Sequence, residues 1–140
     1  MRRVLRTIAI AVVALPSAAG AQSLVTLAST DVAAMIDATS FPNSIGPRRE
    51  DGLKTFDDYG FSEVELNGET VELYDPDRSW MFGITVLEAD DDRLIVCILD
   101  RALGGPTYHA QHAYPFARGT DALLIAAGEP IDTPKCPTRP

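Results

Sequence analysis

The chain has 140 residues, 46% of them hydrophobic, with 12 basic and 20 acidic residues and a net charge of −8. That length fits one domain with a core of its own. The acidic balance argues against nucleic acid, whose phosphates reward a basic surface, and equally against an anionic membrane face; it suits a basic protein, a cation, or solubility alone.

The first residues read as an export signal. MRRVLR is a basic start, TIAIAVVAL is an apolar run too short to span a bilayer, and PSAAGAQ supplies small residues with Ala19-Gly20-Ala21 in the A-x-A pattern. Residues 1–21 are therefore expected to be a cleaved signal peptide, cut between Ala21 and Gln22. What remains, residues 22–140, is expected to be a single secreted α+β domain with a proline-rich C-terminal tail, in a compartment such as a bacterial periplasm. Loss of Arg2, Arg3 and Arg6 leaves 9 basic against 20 acidic residues, a net charge of −11. The later apolar runs LIVCIL and ALLIAA are too short for membrane insertion.

STDVAAMIDATSFP reads as a short amphipathic helix over residues 30–40. Ser29 or Thr30 is placed to cap it, Asp31 to favour its positive end, and Pro42 to stop it. Pro and Gly then mark residues 41–59 as a loop, with one or two helical turns expected in GLKTFDDYG. This segment holds Arg48, Arg49 and Lys54, and its length makes it a second candidate functional element.

From Phe61 the hydrophobic period becomes two. FSEVELNGETVELY has Asn67-Gly68 at its centre, a strong hairpin signal. SWMFGITVLE and RLIVCILDR, joined by ADDD, are apolar on both faces and read as central strands. TYHAQHAYPF alternates, and Pro115 favours an edge position for it. TDALLIAAGEP reads as a short helix between Thr120 and Gly128, with a strand as the alternative. The resulting expectation is an α+β fold in two layers, an N-terminal helix packed on a four- to five-stranded antiparallel meander.

Cys97 lies in a core-strand pattern and Cys136 in the tail DTPKCPTRP. In an oxidising compartment an even cysteine count predicts a disulfide, here closing about 40 residues for about 4 kcal/mol in the chain-entropy model.

A two-residue loop at Asn67-Gly68 predicts a register in which Glu63 faces Glu72, Glu65 faces Thr70 and Phe61 faces Tyr74. Ser62, Val64, Leu66, Val71 and Leu73 would then turn to the core, leaving Phe61, Glu63, Glu65, Glu72 and Tyr74 outside. Opposed glutamates repel, so something must neutralise them. One answer is solvent with a basic side chain of the chain itself, from Arg48, Arg49, Lys54 or Arg78. Another is a basic envelope protein, met by an accessory or inhibitor protein through acidic and aromatic residues. A third is a cation or a shared proton, as in a small carboxylate- or metal-dependent enzyme. The non-enzymatic partner reading is the expectation carried forward, with no cofactor.

Other motifs carry less. DPDRSW begins like a calcium loop, but Trp80 stands where glycine is needed, so it reads as a turn. His109 and His112 would share a face on a helix but oppose each other on a strand, which leaves them weak metal candidates. No spacing selects a Ser-His-Asp set.

Overall fold

The computed structural model describes residues 23–105 and 108–138. The expected export signal and its expected cleavage point at Ala21 and Gln22 lie outside the described residues. No helix among the described residues is long and apolar enough to cross a membrane.

Six strands form one antiparallel sheet in chain order: β1 (Glu63–Asn67), β2 (Thr70–Tyr74), β3 (Trp80–Ala89), β4 (Arg93–Ala102), β5 (His109–Arg118) and β6 (Leu124–Ala126). The α+β, two-layer character is present, with six strands where four or five were expected. The additional strand is β6, which lies in the run read as a helix. Ala122 takes a positive φ of 66°, and Ile125 and Leu124 pair with Ala117 and Arg118 of β5. A run of adjacent apolar residues serves either structure, and here an open strand neighbour decides it. β5 is therefore not an edge. Pro115 faces Ile95 of β4, and its carbonyl accepts from Ala127 N–H at 2.8 Å on the β6 side, so its missing N–H lies away from the β4 ladder.

The only α-helix described, α1 (Ser29–Met35), has seven residues and is shorter than the 30–40 reading. Its N-cap is Ala28, with no side-chain cap, and the chain turns extended at Ile36 (φ −65°, ψ 126°). Ile36 leaves the helix because it pairs in parallel with Leu124 of β6. The Asp37 carboxylate then accepts from Thr39 N at 2.9 Å and Thr39 Oγ1 at 2.6 Å, closing a local turn that competes with helix.

With so short a helix, much of the second layer is irregular chain. Phe41, Ile45, Phe56 and Phe61 are all buried, and they pack on the sheet face that carries Val71, Leu73, Phe82, Ile84, Val96 and Phe116. Phe56 and Phe82 have ring centroids 4.6 Å apart, and Phe61 meets Phe82 edge-on at 4.9 Å. The segment is held at its far end by the buried Asp100 carboxylate, which accepts from Ser44 N at 2.7 Å, Ser44 Oγ at 2.8 Å and Trp80 Nε1 at 2.6 Å. Residues 41–59 thus supply core to the domain. GLKTFDDYG forms tight turns and no helix, ending at Gly60 with φ 89°.

The opposite sheet face carries a smaller cluster of Ile95, Cys97, Ala113 and Cys136, with Leu87 against it. The tail crosses this face through an Ile131–Ala113 bridge and the Cys97–Cys136 disulfide, whose Cα atoms are 5.7 Å apart.

Candidate functional site

The hairpin closes one residue later than Asn67-Gly68 implies. Asn67 pairs with Thr70, so the loop is Gly68-Glu69. Gly68 has φ 63° and Glu69 has no positive φ, which matches the II′ turn with glycine first, whereas I′ needs positive φ at both residues. Every partner moves accordingly. Glu65 faces Glu72, Glu63 faces Tyr74, and Val64 faces Leu73. The expected Glu63–Glu72 opposition is replaced by Glu65–Glu72. The faces themselves survive, because shifting the loop by one residue moves each cross-strand partner by two.

Phe61 does not belong to the outer face. It precedes β1, where strand alternation has not begun, and it is 2% exposed against Phe56 and Phe82. The outer face therefore consists of Glu63, Glu65, Asn67, Thr70, Glu72 and Tyr74.

Two separate arrangements handle the opposed carboxylates. Glu72 accepts from Tyr74 Oη at 2.6 Å and from Asn67 Nδ2 at 2.9 Å. These bonds, Tyr74 first, pull the Glu72 carboxyl below its ordinary value, and the same bond pushes Tyr74 up to about 12. Glu63 and Glu65 instead share Arg78. Its Nη2 lies 2.8 Å from Glu63 Oε1 and also pairs with Glu65, while its guanidinium sits 4.1 Å from the Tyr74 ring centroid. The turn after β2 delivers this arginine. Asp75 accepts from Ser79 Oγ at 2.8 Å and Trp80 N at 2.9 Å, and Arg78 takes a positive φ of 53° at the corner. That φ is uncommon for a residue with a long side chain.

Other basic residues go elsewhere. Arg49 donates to the Phe41 carbonyl at 2.9 Å, and Lys54 pairs with Asp121 at 2.6 Å. Arg48 ends the short 3-10 turn Gly46–Arg48 and is exposed.

The inner face of the hairpin is uneven. Val71 and Leu73 of β2 are buried, but Val64 and Leu66 of β1 are 52% and 69% exposed. α1 makes its main contacts with β2 and β3. A groove of about 350 Å³ remains between α1, the turn at Phe56 and the hairpin, lined by Ala33, Ala34, Phe56, Phe61, Val64 and Leu73 among others. Sequence pattern alone places Val64 and Leu66 in the core; it cannot show that nothing covers them.

His109 and His112 lie on β5, three residues apart, opposite Arg101 and Ile98, and so project to opposite faces. His109 Nε2 is buried without a hydrogen-bond partner among the described residues. No group of three His, Cys, Asp or Glu side chains among the described residues could hold a metal ion.

No protein-family model matches this chain, and no curated protein or solved structure matches it either.

Proposed function

We propose that this is a secreted, periplasmic accessory or inhibitor protein that binds a basic polypeptide through the outer face of its β1–β2 hairpin and carries out no chemistry of its own. One observation carries the reading. Three carboxylates, Glu63, Glu65 and Glu72, stand on one hairpin face with Arg78 the one cation paired with them among the described residues, and Glu63 and Glu65 remain about half exposed (48% and 49%). The face keeps a surplus of negative charge beside the aromatic Tyr74, a combination suited to a cationic partner. The disulfide fits an oxidising compartment.

Arg78 acts here as an internal stand-in for the partner. A basic side chain arriving from outside would compete with it for Glu63 and Glu65. The test is capture of basic envelope proteins by oxidised 22–140 at low salt, beside Glu63→Gln/Glu65→Gln/Glu72→Gln and Arg78→Ala. The expected result is a specific protein retained by wild type, released by salt, lost in the triple variant and held more tightly by Arg78→Ala. Equal retention by all three forms would make the glutamates an ordinary solvated face.

A further inference from the structure

We infer that β1 is a docking edge that takes an extended polypeptide as a seventh, antiparallel strand, and that the segment it accepts alternates cationic and apolar residues. This rests on the reading of the hairpin as a site for a basic polypeptide and adds the geometry of the contact.

The first support is backbone. β1 is the terminal strand of the sheet, and none of its outward backbone groups has a partner among the described residues. In a two-residue loop the closing pair, Asn67 and Thr70, exchanges the hydrogen bonds, and the antiparallel ladder alternates from there. Glu65–Glu72 and Glu63–Tyr74 are then bonded pairs, while Val64 and Leu66 aim their N–H and C=O groups away from β2. The two residues with free backbone groups are also the two with uncovered apolar side chains, 52% and 69% exposed.

The second support is the chemistry of the two faces. A strand added antiparallel to β1 places the residues opposite Val64 and Leu66 on the helix side, toward the groove lined by Ala34, Phe56 and Leu73. The residues between them stand beside Glu63 and Glu65. Complementarity therefore asks for apolar residues at one set of alternate positions and Lys or Arg at the other. Charge also argues against a second copy of this chain as the occupant. Pairing β1 with itself would set its carboxylates against one another, and like charges directly opposite are destabilising.

The test uses oxidised 22–140 and four blocked nine-residue peptides, read by amide chemical shifts and titration. One alternates Val and Lys. A second has the same composition in two blocks. The third and fourth are the alternating peptide N-methylated at its Val residues or at its Lys residues. In the antiparallel pairing the Val amides face β1 and the Lys amides face away. The expected result is binding of the alternating peptide at least about 10-fold tighter than the block isomer, with shifts at residues 63–67. Methylation at Val should abolish it and methylation at Lys should leave it. If all four bind equally and salt releases them, strand addition is overturned while the acidic-face reading stands. If none binds at millimolar concentration, strand addition is again overturned, and the capture experiment alone decides the acidic-face reading.

Discussion

The two edges of the sheet are treated differently. At the β6 edge the chain guards itself. Ile36 bridges to Leu124, Asp37 N–H donates to the Leu124 carbonyl at 2.8 Å, and Ala126 N–H donates to Ser40 Oγ at 3.0 Å. At the β1 edge every residue of the strand is exposed, and the protection is the charge of Glu63 and Glu65. Covering an edge uses chain, whereas charging it uses two side chains and leaves the backbone groups available. An edge that only has to be safe can be covered. An edge left open, charged on one face and apolar on the other, is selective about what may pair with it.

The contrast predicts where mutations will hurt. The largest effect should come from the disulfide, which anchors the tail to central strand β4, away from both edges. Cys97→Ser/Cys136→Ser should lower stability by about 4 kcal/mol, measured by denaturant unfolding, with the amide shifts of residues 63–74 unchanged. Next is a matched pair of truncations. Leu124→Ala, at a fully buried position, should cost about 3 kcal/mol, while Leu66→Ala, at a position 69% exposed, should stay within about 0.5 kcal/mol. Equal losses would mean that β1 is covered in solution and would end the comparison. Smaller again is Ser40→Ala. It removes the acceptor of Ala126 N–H and the donor to the Asp37 carbonyl at 2.7 Å, for about 1 kcal/mol, with faster hydrogen exchange at Ala126 as its signature.

The same contrast explains what could be read from the sequence. β3 and β4 were legible because both faces are apolar and the register needs no outside partner. The disulfide was legible from parity and compartment. β6 was not, because LLIAA has no period of its own and becomes a strand only beside β5 and Ile36. The helix end was missed for the same reason, since Ile36 fits an amphipathic helix until β6 offers it a backbone partner. Within the hairpin, alternation identified the faces correctly, but the choice between a loop at 67–68 and one at 68–69 rests on φ at Asn67, which would be positive in a type I′ loop at 67–68 and is not, and composition does not reveal it. Arg78 stood among four basic candidates, and only the turn at 75–80 singles it out. The exposure of Val64 and Leu66 depends on what the rest of the chain lays over β1, and no local pattern encodes that.

The smallest effect lies on the hairpin itself, in the Glu72–Tyr74 bond. Glu72 has a carboxyl held below its ordinary value of 4.5, so its contribution is complete above that value and fades as pH falls through the lower folded one. Tyr74 is raised from 10.0 to about 12, so its contribution is complete below 10.0 and fades as pH rises toward 12. The pair therefore supports the hairpin on a plateau from about pH 4.5 to about pH 10. Titration by NMR should show the Tyr74 ring carbon bearing the hydroxyl changing only near pH 12. Tyr74→Phe should return Glu72 toward 4.5, leaving Asn67 as its remaining hydrogen-bond donor, without altering the register of β1 on β2. If Tyr74 instead titrates near 10.0, the hydrogen bond does not persist in solution. Glu72 would then join Glu63 and Glu65 as a third carboxylate open to a partner. The charge of the face would be unchanged, but it would offer one more free acceptor, and a basic strand should bind it more tightly.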